Sequence, residues 1–403
     1  MTNVQHPSTD DAGPGTRRPP RRATLALPQT ETVPVPAINT VVLTWLSTAL
    51  GGAEKSVPEL AEALALQGVR VRLVWWRATP DAAEAPAPAG VEVQEVSSWD
   101  GYRSVVNTIA ANRRGTVVIS SHRTCAADVI LAGATPVVAV LRGIAHRERI
   151  LRVLDPGTGR IEPIHPGQMQ AHLLAQAAWV GISDASAFSA KCLPGVTEAT
   201  TIYNGVALPD TPPERTAKVP GRLRVAVVAR TVPWKRLDDL VYAASDPTIA
   251  DRVKVTVYGQ PGSAQDSLDK LVTATRAPVT FHGYTTDLAA HLTDSDILVS
   301  PSPEEGFGRC VIDAAGARIP AIVPDEGAGP EVVLDGQTGI VYPYAQRGSL
   351  AKALAWAADA DPGVLDAMGD AALARAKGWF NPARCAAQFL DLAHAATGLR
   401  GAR

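Results

Sequence analysis

Val41, Val42, Leu43, Thr44, Trp45 and Leu46 form a near-continuous apolar and β-branched run. A strand without polar alternation has no face to offer water, so it belongs inside a parallel sheet covered on both sides. Gly51 and Gly52 break the run, and apolar Val57, Leu60, Ala61 and Leu64 then recur at helical spacing over 53–67 before Gly68 stops the helix. A second strand is expected at Val69–Trp75. This is a βαβ unit, and its repetition predicts an α/β fold of doubly wound, Rossmann-like sheets.

Further strands are expected at Thr116–Ser120, Pro136–Leu141, Trp179–Ile182 and Thr200–Tyr203. Pro209–Gly221 is proline-rich and polar between apolar runs, which reads as a linker. The alternation restarts after it, with strands at Arg224–Val228, Val253–Tyr258, Val279–His282, Ile297–Ser300 and Ala321–Pro324. Helices are expected between them at 237–244, 267–275, 288–292 and 308–317. The expected organisation is an arm over 1–38, an N-terminal domain over 39–208, a linker over 209–221, a C-terminal domain over 222–380 and a last helical segment over 381–403 that packs back across. Two such domains face a central cleft, and ligands bind these sheets at the carboxyl ends of their strands.

Composition removes several alternatives. No apolar run approaches the roughly 18 residues of a membrane-spanning helix. The net charge of −2 gives no electrostatic case for general nucleic-acid binding. Cys125, Cys192, Cys310 and Cys385 lie far apart without metal-ligand or disulfide-framework spacing, so a reduced, cytoplasmic protein is expected. The first 37 residues hold seven prolines and the basic cluster Arg17, Arg18, Arg21 and Arg22 with no apolar stretch after it, which predicts a disordered arm and not an export signal.

The segment with the most chemistry is Ser300–Gly339. After a strand, the loop presents Glu304 and Glu305, and Gly306, Phe307 and Gly308 let backbone approach a ligand before a helix begins. Asp313, two turns into that helix, shares a face with Glu305. Arg230 and Lys235 also sit between a strand and a helix, where two fixed cations suit a diphosphate. The backbone N–H groups of Gly51, Gly52 and Ala53 open the first helix, whose positive end suits an anion.

The run Glu305–Asp313 resembles the acidic signature of the retaining nucleotide-sugar glycosyltransferases, specifically glycosyltransferase family 4 with its two-domain GT-B fold. The stretches 227–236, 281–308 and 319–343 are similar to that family's phosphate-binding loop, the approach to the signature, and the following strand, glycine turn and glutamate, here Glu331. The stretches 44–55 and 200–206 resemble its first glycine loop and its run into the linker. The resemblance implies a nucleoside diphosphate sugar held by the C-terminal domain, a small-molecule or glycan acceptor held mainly by the N-terminal one, and no obligatory metal or further cofactor. It places Arg230 and Lys235 on phosphate, Glu305 on the sugar hydroxyls, Asp313 on the ribose, and the backbone of Gly306–Arg309 on sugar or phosphate. Gln260 and Tyr284 are placed for the base. Asp313 departs from the family's pattern, being one methylene shorter than the usual glutamate.

For a histidine role in the N-terminal domain, His122 and His146 are both candidates. Between Arg142 and Arg160, five arginines (Arg142, Arg147, Arg149, Arg152, Arg160) stand against Glu148 and Asp155, a local net charge of +3 that reads either as solvated loop or as a site for an anionic acceptor. Asp294 with Asp296, and Asp359 with Asp361, have metal-motif spacing but sit at turns, where capping roles are expected. The expected function is sugar transfer with retention of configuration, in natural-product or cell-surface glycan biosynthesis. Another GT-B nucleotide-sugar enzyme, an epimerase or phosphorylase, and a non-catalytic nucleotide-sugar binder are the alternatives.

Overall fold

The structure is a computed structural model that describes residues 40–47, 52–77, 87–111, 116–120, 129–132, 152–154, 161–163, 178–191, 196–218 and 221–398. The arm over 1–38, Gly51, His122, His146, the strand expected at 136–141 and most of the arginine cluster lie outside the described residues.

The first sheet is built from β1 (Thr40–Ser47), β2 (Arg70–Arg77), β3 (Val91–Val96), β4 (Thr116–Ser120), β5 (Val129–Ala132), β8 (Ala178–Gly181) and β9 (Thr200–Thr201), in the order β3-β2-β1-β4-β5-β8-β9. Every neighbouring pair is parallel. The short antiparallel pair β6 (Arg152–Leu154) and β7 (Ile161–Pro163) stands outside it. Helices α1 (Gly52–Leu66), α2 (Trp99–Ala111) and α3 (Asp184–Lys191) are the crossovers described. Val41, Leu43, Leu73 and Ile119 are all at most 1% exposed, as continuous apolar strands require.

The second sheet repeats the scheme with β10 (Leu223–Val228), β11 (Val253–Tyr258), β12 (Val279–Gly283), β13 (Ile297–Val299), β14 (Ala321–Pro324) and β15 (Gly339–Tyr342), ordered β12-β11-β10-β13-β14-β15. This is the doubly wound order in which the chain reverses direction between its first and fourth strands, here β10 and β13. Helices α4 (Leu237–Ala244), α5 (Gln265–Thr275), α6 (Leu288–Thr293), α7 (Arg309–Gly316), the single turn α8 (Gly329–Val332), α9 (Ser349–Asp359) and α10 (Pro362–Trp379) connect or follow them.

The terminal helix α11 (Pro382–Gly398) leaves the second domain and packs on α1. Its Cys385, Ala386, Phe389 and Ala393 share one core with Val41, Leu60 and Leu64. An apolar seam also joins the halves, where Ile182 and Val206 pack with Phe307, Val311 and Phe380.

The pattern of expected elements differs from the structure in identifiable ways. Strand β3 was not expected, because in VEVQEV Glu92 and Glu95 fall on opposite faces and break the two-residue alternation, on an edge where no residue is fully buried. Strands β5 and β15, each four residues long, were also not expected. Strand Thr200–Tyr203 shrinks to the two residues of β9. Asp296 does more than shape a turn: it is 2% exposed and accepts from Arg224 Nη2 at 2.8 Å and Arg224 N at 2.8 Å. Asp361 caps α10 by accepting from Gly363 N at 2.8 Å, and Asp294 and Asp359 pair with Thr216 and Arg252. No helix among the described residues is long and apolar enough to cross a membrane.

Phe389 is 1% exposed in the core that α11 shares with the first domain. Phe389→Ala is therefore expected to destabilise that domain by about 3–5 kcal/mol, the cost of a large buried cavity. Urea unfolding measures it, and a loss below about 1 kcal/mol would place α11 outside the core.

Candidate active site

Strands β10 and β13 are hydrogen-bonded neighbours, so the loops that follow them emerge side by side at the carboxyl edge of the second sheet. The loop after β10 carries Arg230 and a 3-10 turn over Pro233–Lys235, and the loop after β13 carries Glu304 and Glu305. Lys235 Nζ donates to Glu305 Oε2 at 2.5 Å, with the two side chains 24% and 22% exposed. Burial works against the Lys235 ammonium, and the Glu305 carboxylate outweighs it and holds the lysine above its ordinary pKa. Arg230 stands close enough to oppose that charge. Lys235 and Arg230 thus stand as two neighbouring cations beside the Glu305 carboxylate.

Backbone architecture fixes these loops. Buried Ser302 donates from Oγ to Trp234 O at 3.1 Å, tying the two loops together. Thr231 Oγ1 accepts from Gly262 N at 2.6 Å, and Thr231 N donates to Gln260 O at 3.3 Å, so the loop after β11 joins the same assembly. Gly308 adopts φ 82° directly ahead of α7, a left-handed step that aims the helix N-terminus at the loop. Gly327, φ 61°, lies under it: a Cβ there would stand 2.7 Å from Pro303 O and 2.9 Å from Glu305 O.

The remaining expected residues divide into several environments. Phe307 is 4% exposed and meets Phe380 edge-on at 5.6 Å, so its side chain belongs to the apolar seam and only its backbone is left for a ligand. Tyr284 is 52% exposed, and Gln260 is half-buried. Asp313 is largely enclosed, and burial pushes its carboxyl above the usual range while Arg309 and Lys55 pull it back. Cys310, beside Glu305 and Asp313, is pushed by burial to about 12 and is an inert thiol at neutral pH. Gly52 is the first residue of α1.

Contacts across the two domains were not visible in the sequence. Arg309 sends both terminal nitrogens to Glu59 of α1, at 2.5 and 2.8 Å. Glu331 accepts from Asp184 N at 2.6 Å and Ala185 N at 2.9 Å, capping α3 of the first domain, and from Tyr203 Oη at 3.0 Å. Burial raises the Glu331 carboxyl, partly offset by these three donors. Ser186 Oγ donates to Gly306 O at 3.1 Å. These partners are 120 to 250 residues apart, and nothing local in the sequence links them.

Among the described residues, no group of three or more His, Cys, Asp or Glu is placed to hold a metal ion. A cavity of about 300 Å³ lined by Thr40, Arg70, Arg72, Glu92 and Thr116 lies at the amino ends of β1 to β4, away from the carboxyl edges where these loops meet.

Residues 222–359 match the family model described as Glycosyl transferases group 1. A D-inositol 3-phosphate glycosyltransferase of Streptomyces bingchenggensis is 31% identical over 179 residues, 40% of this chain and 38% of that protein. A poly(ribitol-phosphate) alpha-N-acetylglucosaminyltransferase of Staphylococcus aureus is 32% identical over 144 residues, 34% of this chain and 28% of that protein. The chain thus spans well under half the length of these curated relatives. Among solved structures, Anabaena HepE in complex with UDP and glucose aligns with a TM-score of 0.62 at 16% identity, over 87% of this chain and 98% of that one. S. aureus TarM, as a mutant in complex with Fondaparinux, alpha-GlcNAc-glycerol and UDP, aligns with a TM-score of 0.67 at 12% identity, over 88% and 99%. The chain has the two-domain GT-B fold, and its second domain is similar over residues 222–359 to the group 1 glycosyl transferases.

Removing Glu331 would strip three donors of one shared acceptor. Glu331→Ala is expected to lower stability by about 1–3 kcal/mol, the scale of leaving buried donors unpaired, with Glu331→Gln losing less. Chemical denaturation measures both, and equal stability of all three proteins would mean that water replaces this contact without cost.

Proposed function

We propose that this protein is a retaining glycosyltransferase that moves a sugar from a nucleoside diphosphate donor to a hydroxyl of a phosphorylated polyol or related glycan acceptor. The observation that carries the reading is the Lys235–Glu305 pair beside Arg230, at the point where the second sheet reverses direction. As the bond from the anomeric carbon to the phosphate oxygen breaks, negative charge grows on the leaving diphosphate, and Lys235, Arg230 and the N-terminus of α7 lie where that charge develops. Glu305 holds Lys235 in place and presents its other oxygen to the sugar hydroxyls. Asp313 accepts from the ribose, and the acceptor approaches from the first domain.

No nucleophilic side chain is required. The acceptor oxygen bonds to the anomeric carbon on the face that the phosphate leaves, and its proton passes to the departing phosphate oxygen, so configuration is retained. Positioning and fixed charge supply the catalysis. The polyol-phosphate acceptor draws support from the names of the inositol-phosphate and ribitol-phosphate relatives. A cytoplasmic setting is supported by Cys310 and Cys385, which are free thiols.

Release of nucleoside diphosphate from UDP-, GDP- and ADP-sugars, with and without inositol 3-phosphate, tests the reading. Lys235→Ala and Arg230→Ala are each expected to lower kcat/KM by roughly 10²–10³-fold, the usual cost of one contact to transition-state charge. Wild-type turnover in either variant would remove the phosphate assignment, and no turnover with any donor would leave a nucleotide-sugar binder. Activity is expected to survive EDTA, because two fixed cations serve the diphosphate; complete loss restored by Mg²⁺ would contradict this.

A further inference from the structure

Asp313 is the residue that departs from the family pattern, and its surroundings are unusual. Arg309, one helical turn before it, forms a long ion pair with Asp313, Nε to Oδ2 at 3.7 Å, beyond hydrogen-bonding reach, and that buried Nε has no hydrogen-bond partner. A guanidinium and a carboxylate four residues apart on one helix ordinarily close onto each other. Here only the long Nε contact is made, and the terminal nitrogens are turned away. Both terminal nitrogens are held by Glu59, which belongs to α1 of the other domain, and the Arg309 and Glu59 side chains are only 12% and 20% exposed.

We infer that Glu59 is a positioning residue for the nucleotide site: by clamping the terminal nitrogens of Arg309 across the cleft, it keeps the guanidinium from hydrogen-bonding Asp313 and leaves that carboxylate free to accept from the ribose of the donor. This rests on the donor reading given above for Asp313. The site is then completed by the first domain although every donor contact comes from the second. Without Glu59, Arg309 turns onto Asp313, its nearest remaining acid, and occupies the oxygens that the ribose needs.

The charges around Asp313 give the inference a sign. Its carboxyl is raised first by burial and also by Glu59, and it is lowered by Arg309 of α7 and by Lys55 of α1. The Cys310 thiol beside it is neutral. Nucleotide binding through an ionised Asp313 weakens as pH falls through its pKa. Replacing Glu59 by a neutral residue lowers that pKa and moves the acid limb of binding to lower pH. Replacing Arg309 by a neutral residue moves the limb to higher pH.

The experiment is calorimetric titration with UDP, GDP and ADP, following the tightest binder from pH 4 to pH 8 in the wild type, Glu59→Gln, Arg309→Met, the double variant and Asp313→Ala, each checked for folding by circular dichroism. Glu59→Gln is expected to weaken binding on the neutral plateau about tenfold, the scale of one lost buried hydrogen bond, with its acid limb shifted down. The double variant is expected to recover the plateau, because no guanidinium remains to occupy Asp313. A merely structural pair would instead give losses in the double variant at least as large as in Glu59→Gln, without opposite shifts of the acid limb. That outcome, or an unchanged plateau in Glu59→Gln, overturns the inference while leaving the donor site standing. Equal binding by wild type and Asp313→Ala overturns both.

Discussion

In a parallel sheet buried on both faces, side chains on the strands are committed to packing, and only the strand ends are free for chemistry. The central strands of the second sheet follow this: Val225, Val227, Ile297 and Val299 are at most 2% exposed, and the polar residues of interest begin two positions beyond β10, at Arg230, and three beyond β13, at Ser302. Because the chain reverses between these neighbours, their loops diverge to opposite faces and leave a crevice between them. The Lys235–Glu305 contact spans that crevice. The Ser302 to Trp234 hydrogen bond and the glycines at 308 and 327 make sense as supports for it, holding backbone so that a cation, a carboxylate and a helix N-terminus meet.

The first domain is coupled to this edge through few, chemically specific contacts. Glu331 caps α3, Ser186 reaches Gly306, Glu59 grips Arg309, and Ile182 and Val206 enter the apolar seam around Phe307 and Phe380. Three of these four touch the loop or helix that carries Glu305 and Asp313. Helix α11 adds a covalent return, since it is continuous with the second domain and buries Phe389 in the core of the first. Partly buried ion pairs contribute little net stability but are costly to break singly, which makes them better suited to fixing geometry than to holding mass together.

Much of the second domain was legible in the sequence because its strands are apolar throughout and its loops carry glycine. The boundaries of β11 and β14 match expectation residue for residue, and α4 likewise. The edge strand β3 escaped because Glu92 and Glu95 interrupt its pattern, and β5 and β15 were not anticipated either. At the site, Arg230, Lys235 and Glu305 were legible as residues on loops between a strand and a helix, and the pairing of β10 with β13 brings those loops together. The side chain of Phe307 points into the core instead, as its neighbours Val311 and Phe380 dictate. What the sequence did not disclose were the partners of Arg309 and Glu331, because pairing across 250 and 147 residues leaves no local trace.

The central claim is that a nucleoside diphosphate sits at the reversal point of the second sheet. Amide hydrogen exchange of the full chain, with and without saturating UDP, GDP or ADP, tests it without assuming an acceptor. The account predicts slowed exchange in peptides spanning 230–236 and 304–313. Slowed exchange confined to the cavity at Thr40, Arg70, Arg72 and Thr116, with those two loops unchanged, would contradict it.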